Sequence, residues 1–185
     1  MIINILECSN VQCKHDMSKQ TTVQRTNEEE KARHDDRLLI ILSKGTLDMV
    51  YPAFMMATTG AAMGKEVHMF FTFWGMNAVT AKTSANLKVA PVGNPGLPMP
   101  NILGMIPGMT SMATRMMKGR IVKAKVPSIP ELIKTAKDLG VKLHACSTTL
   151  EVMGTTKEML LPEVDDIVGA ATMLELGEGG QIIFV

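Results

Sequence analysis

The sequence predicts an α/β fold in which helices flank a mostly parallel central sheet. Residues 38–42 form an uninterrupted apolar run of strand length, which is typical of a parallel strand covered on both faces. Stretches with the length and spacing of helices then alternate with stretches of strand length as far as residue 185. Because such alternation builds right-handed crossovers, we expect one layered domain over residues 38–185.

The first helix is predicted over residues 48–63, with Pro52 in its first turn and Gly64 at its end. One side of this helix carries small residues, among them Ala57, Gly60 and Ala61. Small side chains permit a close approach of another element. This side can therefore pack against the sheet or against a partner helix.

The middle of the chain is predicted to contain a strand, two helices and an irregular stretch. The strand covers residues 66–73, and a helix follows over residues 76–86. Residues 91–107 are rich in glycine and proline, which predicts irregular backbone. Ser128 and Glu131 then form a capping box that opens the other helix.

Methionines are unusually frequent, with 17 in the chain, and four of them follow one another at helical spacing. Packing of this stripe in the core is one explanation. The alternative is a subunit interface or an apolar lid over a site, because methionine suits adaptable contact surfaces. The stripe consists of Met105, Met109, Met112 and Met116.

Residues 7–37 are polar and charged and show no apolar periodicity, so we predict a flexible leader over residues 1–37. Cys8, Cys13 and His15 lie in this leader, but they are too few for a closed zinc site. An odd number of cysteines and no signal peptide indicate a reducing, cytoplasmic location. A formal net charge of +1 argues against a nucleic-acid partner, and no stretch suits a membrane span.

Cys146 is the candidate reactive residue, because it ends a predicted strand just ahead of a predicted helix. Residues 141–145 alternate as a strand, and Thr148 and Glu151 form a capping box that predicts a helix start there. Unpaired N–H groups at a helix start favour a thiolate, which would lower the thiol pKa. The thiol is therefore a candidate nucleophile or sulfur carrier, and a buried structural cysteine is the alternative.

His144 lies two residues before Cys146 on the same strand face, so its imidazole could stabilise the thiolate or bind a sulfur species. A satisfied structural histidine is the alternative. Lys44 and Lys82 could attract an anion, although their spacing does not support either. The chain continues with a predicted helix over residues 166–176 and a final strand over residues 181–185.

Motifs for common cofactors are missing, so we expect no cofactor and no metal. Residues 60–65 resemble a phosphate-binding loop, but the spacing is one residue short and the segment ends a helix. No glycine-rich dinucleotide motif follows the first strand, and no second cysteine of residues 38–185 could resolve a disulfide with Cys146. A lone thiol of this kind suits a carrier that holds sulfur as a persulfide and passes it to another thiolate.

A series of landmarks runs along the chain at residues 44–48, 64–75, 93–95, 107–109, 113–117, 126–129, 145–146, 152–154 and 169–172. Their order resembles that of the DsrE/DsrF-like family of small sulfur-relay proteins, in the subgroup often labelled "peroxiredoxin family protein". The resemblance covers residues 38–185 and leaves the leader unmatched. It implies a flavodoxin-like layered fold, homo-oligomers and a sulfur-carrying cysteine that maps onto Cys146.

Two functions follow from these expectations. The first is a cytoplasmic sulfur carrier or sulfurtransferase that holds persulfide or thiosulfonate sulfur on Cys146, with sulfur donor and acceptor proteins or small sulfur species as partners. The alternative is a non-catalytic oligomeric module that uses its methionine-rich face to bind a protein partner or a membrane surface. Either function would be carried by a homo-oligomer, with the methionine stripe or the small-residue side of the first helix at the interface.

Overall fold

The computed structural model describes residues 36–90 and 108–185, apart from the side chain of Met109. Five strands of this part form one sheet in the order β4-β3-β2-β1-β5, and each neighbouring pair is parallel. The predicted α/β fold with a parallel central sheet is therefore confirmed. The strands are β1 (Arg37–Leu42), β2 (Glu66–Phe71), β3 (Lys142–Cys146), β4 (Asp166–Val168) and β5 (Gln181–Phe184).

Helices connect these strands. The described part of the chain contains α1 (Leu47–Ala62), α2 (Met109–Lys123), α3 (Ile129–Asp138), α4 (Ser147–Met153) and α5 (Ala170–Leu176). Short 3-10 helices cover Phe73–Ala78, Ser84–Asn86 and Lys157–Met159. The capping box predicted for α3 is present, since the Ser128 N–H donates to Glu131 Oε2 at 2.7 Å.

The helices α1 and α5 cover opposite faces of the sheet. A side chain at Gly60 of α1 would lie 2.7 Å from Leu38 Cδ2, and one at Gly177, after α5, would lie 2.8 Å from Leu39 Cδ2. Leu38 and Leu39 are neighbours on β1, so their side chains point to opposite faces. The small-residue side of α1 is therefore covered by the sheet at Ala57 and Gly60, which corrects the prediction that it could form a subunit interface.

The strand order explains where a site is expected. The chain steps from β1 through β4 in one direction, and β5 then returns to the far side of β1. Right-handed crossovers therefore place the connections that leave β3 and β4 on opposite faces. β3 and β4 therefore form a topological switch point, which is a pair of adjacent strands whose following connections lie on opposite faces of the sheet. Open α/β sheets bind ligands at such a point, outside the carboxyl ends of the strands.

The helix predicted over residues 76–86 is wrong. The chain forms the 3-10 helix Phe73–Ala78, and the backbone of residues 79–81 pairs instead with residues 159–161. Thr80 forms an isolated antiparallel bridge with Leu160, and the Leu161 N–H donates to the carbonyl of Val79 at 2.8 Å. Backbone groups that form these bonds cannot also form the i to i−4 bonds of an α-helix. The strand predicted over residues 66–73 accordingly ends earlier, at Phe71.

Two further boundaries differ from prediction. The expected helix over residues 166–176 contains the edge strand β4, because Asp166–Val168 pairs with β3, and α5 begins only after Gly169. The helix expected to start at Thr148 begins at Ser147 instead, with Cys146 itself as the N-cap residue. A three-residue edge strand lacks the length that makes a strand pattern readable in sequence.

The methionine stripe is exposed where the structure describes it. The side chains of Met112 and Met116 on α2 are 66% and 41% exposed, so packing in the core is wrong for these two residues. Met105 and the side chain of Met109 lie outside the described residues, as do the predicted leader up to residue 35 and the irregular stretch 91–107.

None of the helices in residues 36–90 and 108–185 has both the length and the apolar character needed to cross a membrane.

Candidate functional site

Cys146 lies at the carboxyl end of β3, at the switch point of the sheet. It pairs with Val168 of β4, and its backbone begins α4. The residue is 6% exposed, and it is a free cysteine. The predicted position of the thiol, at a strand end just ahead of a helix, is therefore what the structure shows.

Hydrogen-bond donors surround the sulfur of Cys146. Burial acts to raise the pKa of this thiol, but hydrogen bonds from the hydroxyl and N–H of Thr149, the hydroxyl of Thr72 and the N–H of Thr148 outweigh burial and hold the pKa below its usual value. These donors stabilise the thiolate more than the thiol, since a charged acceptor forms the stronger hydrogen bonds. The thiolate is the nucleophilic form of cysteine.

The threonines at the site are fixed by one another and by the backbone that follows β2. Thr149 is 3% exposed, and its Oγ1 accepts the N–H of Phe73 at 3.0 Å and lies 3.2 Å from Oγ1 of Thr72. Phe73 has a φ of 45°, which is uncommon for a residue with a side chain. Left-handed backbone at such a residue is stabilised by its surroundings, here by the bond to Thr149.

Two glycines hold this backbone in place. A side chain at Gly75 would lie 2.0 Å from the carbonyl oxygen of Leu42, and one at Gly45 would lie 2.1 Å from that of Trp74. Only glycine permits such close approaches. The loops that follow β1 and β2 are therefore packed directly on each other, and the side chains of Phe73 and Trp74 stay 56% and 65% exposed beside the site.

His144 is buried below Cys146 on the same face of β3 and takes part in a row of side chains. Its Nε2 lies 2.9 Å from Nδ1 of His68, and its Nδ1 contacts Oδ1 of Asp166. Nε2 of His68 in turn lies 3.3 Å from Oε1 of Glu66. Both ring nitrogens of His144 thus have partners other than the thiol, so any effect of His144 on the thiol acts through charge.

The sequence-predicted residues separate into two groups. Cys146 and His144 lie two residues apart on one strand face, whereas Lys44 and Lys82 are exposed and are not among the groups that hydrogen-bond the sulfur. Sequence reasoning missed Thr72, Thr149 and His68. The run of polar residues after Cys146 was a signal for Thr149, but strand pairing alone brings Thr72 and His68 to the site.

Two other features of the described residues lie away from the thiol. No group of three or more histidine, cysteine, aspartate or glutamate side chains there could hold a metal ion, and Cys8, Cys13 and His15 lie outside that part of the chain. A cavity of about 720 Å³ lies between α1, α2 and α3, lined in part by Tyr51 and Ile129, and Cys146 does not line it.

Comparison with protein families gives a match over residues 34–184 to the DsrE/DsrF/DrsH-like family. The chain is a member of this family. The family resemblance predicted from the sequence is thereby confirmed.

Similar proteins cover most of the chain. The sulfur carrier protein DsrE2 of Allochromatium vinosum is 39% identical over 158 residues, which are 80% of this chain and 98% of that protein. The uncharacterized protein YrkE of Bacillus subtilis is 32% identical over 161 residues, which are 80% of this chain and 96% of that protein. A solved structure, the protein of unknown function MTH1491 from Methanobacterium thermoautotrophicum, aligns with a TM-score of 0.43 and 16% identity over 80% of this chain and 98% of that one.

Proposed function

We propose that the protein is a sulfur carrier that holds sulfur on Cys146, as a persulfide or a thiosulfonate, and passes it to an acceptor thiol. The observation that carries the proposal is the environment of Cys146, in which hydroxyl and N–H donors outweigh burial and lower the thiol pKa. A purely structural buried cysteine needs no such donors. The sulfur carrier DsrE2, which is 39% identical, supports the same role.

The loading step is a nucleophilic displacement at sulfur. With thiosulfate, the Cys146 thiolate attacks the outer sulfur, a new S–S bond forms, and sulfite leaves with the electron pair of the broken bond. The product is the Cys146 persulfide. With tetrathionate, the thiolate attacks a central sulfur, thiosulfate leaves, and Cys146 carries a thiosulfonate.

The release step regenerates the carrier. An acceptor thiolate attacks the outer sulfur of the persulfide, a bond forms between those two sulfurs, and the bond to Cys146 breaks with its electron pair on Cys146. The same donors that lower the thiol pKa stabilise this leaving thiolate, so Thr149 and Thr72 serve both steps. Residues 38–185 contain no second cysteine that could intercept the persulfide as a disulfide.

His144 has a supporting role in this proposal. It lies two residues before Cys146 on the same strand face, about 7 Å away along the strand. A positive charge at that distance would favour the thiolate without touching it.

We further propose a cytoplasmic homo-oligomer as the working form, which receives sulfur from small sulfur species or a donor protein. The exposure of Met112 and Met116 on α2 supports a contact surface there. This exposure also supports the second candidate function, a binding module in which Cys146 is structural. Its partner would then dock on the methionine-bearing side of α2.

Intact-mass spectrometry tests the sulfur carrier directly. The chain is incubated with thiosulfate, tetrathionate or polysulfide, in a background in which Cys8 and Cys13 are replaced by serine. We expect an adduct with the mass of one sulfur atom, or of a thiosulfonate group with tetrathionate, that is released by an added thiol. Cys146→Ser should form no adduct.

Accessibility of the thiol is the necessary control. If iodoacetamide labels Cys146 in the folded protein but no sulfur donor gives an adduct, the sulfur-carrier proposal is wrong. The binding-module function then gains support.

A further inference from the structure

Two buried histidines on neighbouring strands form a cluster beneath the thiol. His68 on β2 and His144 on β3 are 5% and 4% exposed, and Nδ1 of His68 lies 2.9 Å from Nε2 of His144. The ring centroids are 5.2 Å apart and the ring planes differ by 16°, so the two nitrogens meet edge to edge, close to both ring planes. At this distance and orientation, one ring must donate an N–H to the other.

A carboxylate lies at the outer nitrogen of each ring. Oε1 of Glu66 is 3.3 Å from Nε2 of His68, and Oδ1 of Asp166 contacts Nδ1 of His144. Arg37 Nε donates to the other oxygen of Glu66 at 3.0 Å. Burial acts to raise the pKa of Glu66, but His68 and Arg37 outweigh it and hold that pKa below its usual value. Glu66 is therefore ionised at neutral pH.

The number of protons in this row follows from its contacts. Three contacts join Glu66, His68, His144 and Asp166, and each requires one N–H because an ionised carboxylate can only accept. Two neutral imidazoles supply only two N–H groups between them. The third contact therefore requires one additional proton, which gives the pair of rings a single positive charge.

This charge balances its surroundings. Glu66 and Asp166 contribute two negative charges, and Arg37 and the histidine pair contribute two positive ones. Burial lowers the pKa of His68 more than its hydrogen bond to Glu66 raises it, and charge on His144 lowers that pKa further. The carboxylate of Asp166 is also closer to His144 than the 3.3 Å that separate Glu66 from His68, and this contact places the additional proton on His144, between Asp166 and His68.

Other charged groups lie on the elements packed around this cluster. Lys142 of β3 is paired in register with His68. The end of α5 lies against Leu39, the neighbour of His68 on β1, and Glu175 and Glu178 belong to this segment. These groups are exposed, so they modulate the proton affinity of the pair less than its direct partners do.

We propose that His68 and His144 share one proton at neutral pH and that this proton, held on His144, stabilises the thiolate of Cys146. The two side chains lie on the same face of β3, two residues apart. Glu66 and His68 are positioning residues, because they act on the thiol only by fixing the proton on His144. By linkage, a thiolate at Cys146 in turn increases the affinity of the histidine pair for this proton. The inference rests on the proposed function for its purpose, but neither of its tests uses a sulfur species.

The number of ring protons is measurable. The full chain, with His15 and His34 replaced by glutamine, is labelled with ¹⁵N-histidine, and the protonated ring nitrogens of His68 and His144 are counted by NMR at about pH 7. We expect three protonated nitrogens out of four. Two protonated nitrogens, or four, would overturn the shared proton.

Glu66→Gln changes the proton count without removing a ring. The glutamine amide can donate to Nε2 of His68 while its oxygen accepts from Arg37, so two neutral rings then satisfy every contact. We expect the count to fall from three to two. Asp165→Asn is the matched control, because Asp165 binds Lys137 of α3 and contacts neither histidine, so its replacement should leave the count at three.

Alkylation of Cys146 reports the effect on the thiol. The rate of iodoacetamide labelling against pH is compared for the parent chain, Glu66→Gln and Asp165→Asn, each with Cys8 and Cys13 replaced by serine. Loss of the proton on His144 should raise the thiol pKa, so labelling by Glu66→Gln at about pH 7 should be about threefold to tenfold slower. A purely structural role for Glu66 predicts no change in the inflection of this profile.

The proton count tests the charge on the histidine pair, and the labelling profile tests its effect on Cys146. A count that falls to two in Glu66→Gln while the labelling profile stays unchanged would refute the coupling to Cys146. Slower labelling in Glu66→Gln and an unchanged profile in Asp165→Asn support it. Because both measurements succeed or fail without sulfur transfer, a failure here leaves the sulfur-carrier proposal to its own test.

Discussion

Replacing Thr149 by valine tests the origin of the lowered thiol pKa. Thr149 is buried, its hydroxyl and N–H both bond the sulfur of Cys146, and its Oγ1 accepts the N–H of Phe73 at 3.0 Å. Valine has nearly the same shape but no hydroxyl. The thiolate therefore loses one hydrogen bond of a type that contributes about 1.5 to 3 kcal/mol, whereas the backbone donors remain.

The magnitude follows from the proton equilibrium. One pKa unit corresponds to about 1.4 kcal/mol, so loss of this bond should raise the pKa of Cys146 by about 1 to 2 units. The Phe73 N–H also loses its acceptor, which should reduce the free energy of unfolding by about 1 to 3 kcal/mol. The assay is iodoacetamide labelling against pH, with urea unfolding measured in parallel.

Two further variants serve as controls for Thr149→Val. Thr149→Ser keeps the hydroxyl and should retain a low inflection. Thr72→Val removes a hydroxyl that contributes less to lowering the thiol pKa, so its inflection should move by a smaller amount. An inflection in Thr149→Val that equals that of the parent chain would refute the reasoning that hydroxyl donors set the thiol pKa.

Three more predictions concern stability and assembly. Gly75→Ala should lower the free energy of unfolding by at least about 3 kcal/mol, because its Cβ would meet the Leu42 carbonyl. Gly119→Ala on α2, where the space is open, should instead raise this free energy by about 0.5 to 1 kcal/mol. Urea unfolding measures both changes. Burial acts to raise the pKa of Asp165, but Lys137 and the Leu143 N–H hold it below its usual value, so its stabilisation is present above the ordinary carboxyl range and is lost as pH falls through the lowered value. Between about pH 6 and pH 2, Asp165→Asn should therefore lose less stability than the parent chain, by about 1 to 2 kcal/mol, and equal losses in urea unfolding would contradict this. Replacing Met112 and Met116 by lysine should dissociate an oligomer without unfolding the chain, as light scattering and circular dichroism would report. Lysine at the exposed Val122 should leave the oligomer intact. A parent chain that is already a monomer would rule out this interface.

The parts of the fold that sequence could predict are those with a local cause. The apolar run of β1 indicates burial on both faces, and the alternation before Cys146 indicates a strand end, because both patterns depend only on neighbours in sequence. The prediction of a helix over residues 76–86 failed because backbone groups of residues 79–81 form hydrogen bonds with residues 159–161 instead. The edge strand β4 was not predicted, because three residues are too few to show the alternation of a strand.

The candidate site was predicted only in part, for a related reason. The position of Cys146 depends on local pattern, so it was found. The contact between His68 and His144 depends on the register of two strands whose residues lie 76 positions apart, and the bond from Thr72 depends on the same pairing. Register is set by the packing of the whole sheet, and a single sequence does not reveal it.

The position of β5 has a consequence for how the protein forms. β1 is completed near the beginning of the described chain, but its outer edge is paired by residues 181–184, and the Ser43 N–H donates to the carbonyl of Val185. During synthesis, β1 to β4 therefore emerge before β5 can cover the edge of β1. An uncovered apolar strand can pair with another chain, so aggregation competes with folding until β5 arrives. A chain shortened before residue 181 would lack β5, and the edge of β1 would then stay uncovered.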